Sequence, residues 1–432
     1  MGSGPAIFAK GVFMEQRDLR KRARVVLIAG VLFNLSIGML YTWSIIRTHM
    51  MALPDGLATG WGWTSAQAGL PFTVAVAFFA IGLLIGGRIQ DKIGPRWVVT
   101  AGGFLTGLGM IVSGLVGNSP VGVTVGFGVM TGIGMGFGYG CITPPALKWF
   151  HPSKKGLVSG LIVGGFGFGA VYFGPLASAL LDNFGIERAF LFMGIGVAVV
   201  SVPIAQFIRN PPAGYAPEKP KKISETAAKS SGGIDYTWRE MVRTPRFYMM
   251  FAMFMITSSV GLMVIGNVTR IATMQAGITS PALLASLVSF MAIVNMAGRI
   301  IGGLVSDKIG QVNTLFIIFA VQIANMIGFM FYASLPALIV GITGVGLCFG
   351  ALLSIFPALT AGQYGLKNYG ANYGIMFLAW GLSGIAAPVL ADYVYDTAGA
   401  FTAAYLICAV MMAIMLAINF LFRANAAKAK SP

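Results

Sequence analysis

Charged residues are scarce in this sequence. Only 10% of its 432 residues are Asp, Glu, Lys or Arg, whereas soluble proteins carry about 25%. Apolar residues make up 56%, and the mean hydropathy is +0.81. A chain of this length could otherwise form two or three soluble domains. So few charges could not cover the surfaces of such domains, and the composition therefore predicts a polytopic membrane protein.

Cysteine and histidine are equally rare. The three cysteines, Cys141, Cys348 and Cys408, lie far apart in apolar segments, and the two histidines are His49 and His151. These spacings predict neither a disulfide framework nor a metal site. The chain also lacks the G-x-x-x-x-G-K-[ST] loop that binds ATP, and it shows no nucleophile–base pair. We therefore predict a protein that is not an enzyme and needs no metal or cofactor.

Acidic residues are the rarer charge, so the formal net charge is +16. The basic residues lie in short runs between apolar stretches, and no basic domain exists. This distribution excludes nucleic acid as the expected partner. Residues 1–24 are basic and precede an apolar run long enough to cross a bilayer. No cleavable signal peptide is therefore predicted.

Twelve apolar stretches reach the roughly 20 residues that a membrane-crossing helix needs. They lie at 25–46, 66–87, 97–116, 121–146, 156–181, 188–208, 246–269, 281–303, 313–332, 336–361, 372–390 and 400–422. Runs of this length predict helices rather than strands, because a helix satisfies its own backbone groups within the bilayer. The predicted fold class is an all-α membrane protein with twelve transmembrane helices.

One connection is much longer than the others. Residues 209–245 are rich in proline and in basic residues, a composition typical of a linker. The predicted organisation is a cytoplasmic N-terminal tail (1–24), a six-helix half (25–208), a cytoplasmic linker (209–245), a second six-helix half (246–422) and a cytoplasmic tail (423–432).

The distribution of basic residues predicts the orientation. With both termini in the cytoplasm, 25 of the 29 Lys and Arg residues fall on the cytoplasmic side. The outer loops would hold only Arg47, Arg188 and Arg270. Such a bias favours cytoplasmic termini in a multi-pass protein of the cell (inner) membrane.

A loop motif occurs twice, with an offset of 216 residues. The first copy, GGRIQDKIGPR, contains Gly87, Asp91 and Lys92, and the second, GGLVSDKIGQV, contains Gly303, Asp307 and Lys308. A tight turn carrying positive charge would explain a single copy. An Asp beside the N-terminus of a helix also stabilises that helix through its dipole. Two copies at matched positions favour a pair of loops that gate a conformational change.

Arg299 lies within the predicted span 281–303, whereas none of the thirteen acidic residues lies in the middle of a span. A charge in this position costs about 2.5–3.5 kcal/mol on insertion scales. A substrate anion is the simplest partner, because a guanidinium holds a carboxylate through two parallel hydrogen bonds. The alternatives are an arginine that reaches the inner interface and one that is satisfied by helix carbonyls.

Other residues are candidates for the same site. Asn295 lies one helical turn before Arg299 and would orient the guanidinium, bind the substrate or simply join two helices. Tyr41 and Tyr139 carry phenols that can donate to a carboxylate. His49, near the predicted outer mouth, is either a proton relay or an interfacial side chain. The predicted apolar wall consists of Phe349, Leu353, Phe356, Phe377 and Trp380.

Several segments resemble one family. WFHPSKKGLVSGLIVGGFGFG (149–169) is similar to the fifth span of monocarboxylate transporters and of their oxalate:formate antiporter relatives. YGCITPPALKWF (139–150) and NMAGRIIGGLVSDKIG (295–310) also look like stretches of that group. The two loop motifs and the two six-span halves resemble the major facilitator superfamily. Taken together, the chain resembles the monocarboxylate and oxalate:formate branch, close to prokaryotic lactate transporters.

This resemblance implies roles for individual residues. Arg299 would bind the substrate carboxylate, and Tyr41, Tyr139 and Phe377 would line the central cavity. Trp380 stands where oxalate:formate antiporters carry a lysine, so the site has one cation and suits a monoanion. Asn295 stands where animal monocarboxylate transporters have an aspartate, so the usual proton-relay pair is absent.

The resulting prediction is an alternating-access transporter for small monocarboxylates of the lactate and pyruvate class. It would move them with a proton, and a monomer in the lipid bilayer is expected. An anion exchanger of the oxalate:formate type is the alternative. A sensor or an intramembrane enzyme is a third possibility, which an output domain or a catalytic constellation would favour.

Overall fold

A computed structural model describes residues 4–51, 60–217, 235–398 and 401–428 of the chain. The side chains of residues 4–17, of Tyr41 and of residues 388–398 lie outside this description. Within the described ranges the regular structure is entirely helical.

Six long or medium helices form the N-terminal half. They are α1 (Gly4–Ile37), α2 (Trp43–Met51), α3 (Ser65–Ile93), α4 (Pro95–Leu115), α5 (Pro120–Trp149) and α6 (Lys155–Ala205). The stretch Thr124–Thr131 inside α5 is π-helical. Proline occupies the first turn of α4 and of α5, where its missing N–H costs no hydrogen bond.

Six further helices form the C-terminal half. They are α7 (Pro245–Ala276), α8 (Pro281–Ile309), α9 (Gln311–Phe329), α10 (Leu335–Tyr364), α11 (Tyr369–Ala398) and α12 (Thr402–Lys428). A short helix, Trp238–Met241, precedes them. Each predicted span coincides within a few residues with one of the twelve helices or with part of one.

Two predicted spans differ in their ends from the helices. The stretch 25–46 is divided by a break at residues 38–42. Gly38 packs against the carbonyl of Phe166 so closely that a Cβ would overlap it, and the chain leaves the α1 axis there. The stretches 156–181 and 188–208 lie in the single helix α6, which bends at Gly185. Because glycine tolerates the φ of +77° found there, the two parts need no loop between them.

Nine helices in the described ranges are long and apolar enough to cross a membrane, and α6 counts once although it contains two predicted spans. Glycines allow these helices to approach closely. Gly107 of α4 and Gly194 of α6 face each other, and a Cβ on either would lie within 2.7 Å of the opposite carbonyl oxygen. Close contact of helix backbones replaces the hydrophobic effect as a source of stability within lipid.

Candidate functional site

The two halves meet along two seams, α6 with α8 and α3 with α11. At one end of the bundle each seam is closed by an aspartate. Asp307 of α8 accepts hydrogen bonds from the N–H groups of Gly156 and Leu157, both at 2.8 Å. Asp91 of α3 accepts from Gly370 at 3.3 Å and from Ala371 at 3.0 Å. Each carboxylate therefore caps the first turn of a helix in the opposite half.

Glycine pairs make these caps possible. Gly156 faces Gly303 across the α6–α8 seam, and Gly87 faces Gly370 across the α3–α11 seam. A Cβ added to any of the four would overlap a backbone atom of its partner. Both loop motifs thus contribute a glycine and an aspartate to a contact between the halves, while Lys92 and Lys308 are exposed. We call this end of the bundle the basic end.

Residues 235–241, which we call the linker clamp, also bind at the basic end. Asp235 Oδ1 accepts from the N–H groups of Leu366 and Lys367 at 3.0 and 3.1 Å. The Tyr236 carbonyl accepts from two amide side chains, those of Asn368 and Asn372. The clamp therefore holds the connection between α10 and α11.

The linker clamp reaches the N-terminal half as well. The Arg88 guanidinium of α3 lies 4.9 Å from the ring centroid of Trp238, within the range of a cation–π contact. Thr237 and Glu240 form a capping box at the short helix. The N–H and hydroxyl of Thr237 hold the pKa of the Glu240 carboxyl below its ordinary value. This cap is therefore complete above the ordinary carboxyl pKa and weakens as the pH falls.

Arg299 lies deeper in the α6–α8 seam and is almost fully buried, with 1% of its surface exposed. Its Nε donates to Oδ1 of Asn295 at 3.1 Å, and its Nη1 donates to the carbonyl of Val163 in α6. The predicted contact between Asn295 and Arg299 is thus present. The side chain does not reach the interface; one helix carbonyl satisfies part of it.

A cavity of about 70 Å³ adjoins Arg299. Apart from Arg299 and Asn295 its wall is apolar, and the remaining lining residues are Gly167, Ile265, Val268, Val288, Met291 and Ala292. Val288 lies three helical turns from Arg299 toward the end of α8 that is remote from the basic end. The cavity therefore extends from the guanidinium away from the closed seams.

Aromatic rings from both halves pack beside this seam. Tyr139 of α5 has its ring centroid 5.2 Å from Phe166 and 5.7 Å from Phe377. Phe79 of α3 lies 5.8 Å from Phe166 and 5.7 Å from Trp380. These separations are typical of interacting aromatic pairs. Tyr139, Phe377 and Trp380 are thus brought together as predicted, and Phe79 and Phe166 join them.

Two buried polar atoms belong to the same group of rings. The Tyr373 hydroxyl and the Trp380 Nε1 have no hydrogen-bond partner among the described residues. Tyr373 lies 5.7 Å from Phe377, and Phe377 lies 5.0 Å from Trp380, so all three share one face of α11. Sequence inspection assigned Trp380 to an apolar wall because it could not show that its N–H is unpaired.

Other predicted site residues lie away from the cavity. Phe349 packs on Gly261 of α7, and Phe356 stacks on Phe254 at 4.3 Å. Leu353 is buried on the same helix, and none of the three lines the cavity beside Arg299. The Tyr41 side chain lies outside the described part of the structure.

His49 lies on α2, toward the end of the bundle opposite the basic end. Its Nδ1 is 3.0 Å from the carbonyl of Ile45, and its Nε2 is 3.1 Å from Oδ1 of Asp182. Both ring nitrogens thus face oxygen acceptors, and a neutral imidazole could donate to only one of them. The geometry therefore favours the imidazolium form, held in an ion pair between α2 and α6.

Residues 26–356 match the sequence profile of the Major Facilitator Superfamily. The chain belongs to this superfamily. It is 28% identical to the oxalate:formate antiporter of Oxalobacter formigenes, over 88% of this chain and 87% of that protein. It is 23% identical to Monocarboxylate transporter 13 of Bos taurus, over 89% of this chain and 85% of that protein.

The fold agrees with this assignment. The crystal structure of the Escherichia coli transporter FucP in the outward conformation superposes with a TM-score of 0.66 at 16% identity, covering 92% of this chain and 98% of that one. The predicted all-α membrane fold and the predicted family are confirmed. The protein is therefore a multi-pass membrane transporter rather than an enzyme.

Proposed function

We propose that this transporter moves small monocarboxylates of the lactate and pyruvate class across the cell membrane together with a proton. The observation that carries the proposal is Arg299, a buried cation between the two halves that adjoins a cavity. No carboxylate of the described residues forms an ion pair with it. A buried charge of this kind needs a partner, and a substrate anion supplies one.

The chemistry of the site suits a monoanion. The bonds to Asn295 and Val163 occupy two of the five N–H donors of a guanidinium. The remaining donors can hold a carboxylate, and the apolar cavity wall accepts a short carbon chain. The relatives named above as an oxalate:formate antiporter and a monocarboxylate transporter support a carboxylate as the substrate.

The proposal includes an orientation and a route for the proton. The basic end would face the cytoplasm, with both termini on that side. Because position 295 holds Asn rather than an acid, the proton would travel with the substrate, and His49 would relay it at the opposite end. The halves would alternate by separating and re-forming the caps of Asp91 and Asp307.

Replacing Arg299 by Ala tests this assignment. We expect saturable uptake of labelled L-lactate into proteoliposomes to be abolished, because the site loses its only proposed anion partner. Arg299→Lys should retain a minor fraction of the activity, since a lysine keeps the charge but not the bidentate geometry. The control is Arg188→Ala, which removes an exposed arginine of α6.

Each variant is first shown to be folded by its elution from size-exclusion chromatography and by its amount in the membrane. Wild-type uptake by a folded Arg299→Ala protein would contradict the proposed function.

A further inference from the structure

The two seams repeat each other below the aspartate caps, and the repeat establishes the depth of Trp380. Gly160 of α6 packs on the carbonyl of Arg299, and Gly374 of α11 packs on the backbone of Leu83 and Leu84. The same offset of 214 residues relates Gly156 to Gly370, which face the two caps. Trp380 follows Gly374 by six residues, as Phe166 follows Gly160.

This correspondence places Trp380 level with the Arg299 guanidinium. Phe166 precedes Gly167, and a Cβ on Gly167 would lie 3.1 Å from Cζ of Arg299. Phe79 lies between the two matching rings, 5.8 Å from Phe166 and 5.7 Å from Trp380. Trp380 is therefore the residue of the α3–α11 seam that faces the centre at the depth where Arg299 lies in the other seam.

The chemistry of Trp380 differs from that of its counterpart. Phe166 has no polar atom, whereas Trp380 carries an N–H that is buried, with 5% of the residue exposed, and that has no partner among the described residues. Buried donors are rarely left unpaired. An indole N–H donates and cannot accept, and it carries no charge.

We infer that the Trp380 N–H is a hydrogen-bond donor for a second oxygen of the substrate, the 2-hydroxyl or 2-oxo oxygen. This inference rests on the proposed function, in which Arg299 holds the carboxylate. A neutral donor opposite a single cation selects a 2-oxygenated monocarboxylate. It disfavours an unsubstituted acid, which leaves the N–H unpaired, and a dianion, whose second charge lacks a counter-charge.

The test compares two acids that differ in one oxygen. Unlabelled L-lactate and propionate are titrated against a trace of labelled L-lactate in proteoliposomes with the same pH inside and outside. Wild-type protein should be inhibited by lactate at a concentration at least about tenfold lower than by propionate. In Trp380→Phe the ratio of the two concentrations should fall toward one, mainly through weaker inhibition by lactate.

Two variants separate the N–H from the ring. Trp380→Tyr keeps a donor and should retain part of the discrimination. Tyr369→Phe removes a hydroxyl that is already bonded to the Pro357 carbonyl at 3.2 Å, and it should leave the ratio unchanged. If Trp380→Phe does not fold, 3-benzothienylalanine at position 380 replaces the N–H by sulfur while keeping the bicyclic ring.

The outcomes are distinct. An unchanged ratio in Trp380→Phe, or equal losses in the Phe and Tyr variants, would overturn the role of the N–H while leaving carboxylate transport intact. Failure of the wild-type protein to transport lactate, with no inhibition by either acid, would remove the proposed function and this inference with it.

Discussion

The position of the Arg299 guanidinium depends on one residue without a side chain. Gly167 faces Cζ, Nε and Nη1 of Arg299 at the distances of close packing, 3.1 to 3.3 Å from where a Cβ would lie. The same glycine lines the cavity. Its hydrogen therefore leaves room both for the guanidinium and for a ligand beside it.

Gly167→Ala should raise the KM for lactate several-fold without removing any charge. The added methyl group is closer to the guanidinium than ordinary van der Waals contact, so the guanidinium must move by a few tenths of an ångström. A bidentate bond is sensitive to such a shift. The measurement is initial uptake as a function of lactate concentration.

The control lies on the same helix. Gly196→Ala introduces a methyl group with no atom within 4 Å, and it should leave KM unchanged. Equal effects of the two substitutions would show that the change concerns α6 as a whole rather than Arg299.

Asn295→Asp should make the transport of lactate depend more steeply on pH. The new carboxylate would replace an oxygen that lies 3.1 Å from Arg299 Nε, and in its ionised form it would compete with the substrate. Protonation at lower pH would release Arg299. We expect equilibrium exchange to be weak at about pH 8 and to recover toward the wild-type rate at about pH 5.5.

Exchange with equal pH on both sides removes the driving force from this comparison. Asn295→Leu is the matched control, because it removes the hydrogen bond without adding a titratable group. A pH profile for Asn295→Asp parallel to that of Asn295→Leu would refute the electrostatic explanation.

Residues with a rare property were predictable from the sequence, and residues with a common one were not. Arg299 stands out as a charge within a span, and the spacing of four residues places Asn295 beside it. Phe79, Phe166 and Gly167 resemble dozens of other apolar residues in the chain. Only the arrangement of the helices shows which of these face the centre.

At the scale of helices, the lengths of the apolar runs were sufficient to predict where the spans lie. The break at residues 38–42 and the bend at Gly185 were not predictable, because both depend on what packs against the glycine. The linker clamp was also missed. Its contacts are backbone amides and side-chain amides, which leave no recognisable pattern in the sequence.

Asp235→Ala should loosen the linker clamp. It leaves the N–H groups of Leu366 and Lys367 without their acceptor, at a cost on the order of 1 kcal/mol. We expect trypsin to cleave after Lys367 several times faster in this variant, because the connection between α10 and α11 opens more often.

Cleavage after Arg423, at the far end of α12, serves as an internal reference. Asp235→Asn keeps an acceptor oxygen and should be cleaved at nearly the wild-type rate. If both variants are cleaved as slowly as the wild-type protein, the clamp does not restrain this connection.

At the scale of the whole molecule, the described structure is closed at the basic end by both seams. The family and the fold follow from repeated motifs and long apolar runs, and both were therefore predictable. The coupling ion was not, because one arginine without a neighbouring acid is compatible with symport and with exchange.

An imposed proton gradient distinguishes these two modes. With acidic medium outside and no anion inside, proteoliposomes should accumulate labelled L-lactate, and a protonophore should abolish the accumulation. Liposomes with the Arg299→Ala protein correct for passive entry of the undissociated acid. Uptake that occurs only when the lumen contains another carboxylate would instead identify an exchanger of the oxalate:formate type.

The aspartate caps give the molecule a built-in clock. Four backbone amides, those of Gly156, Leu157, Gly370 and Ala371, are bonded to a carboxylate of the opposite half only while the basic end is closed. Each opening exposes them to water, so their deuterium uptake records the fraction of time spent open. The first two amides report on one seam and the last two on the other. Comparing their exchange rates, with and without lactate, would show whether the seams part together or one before the other.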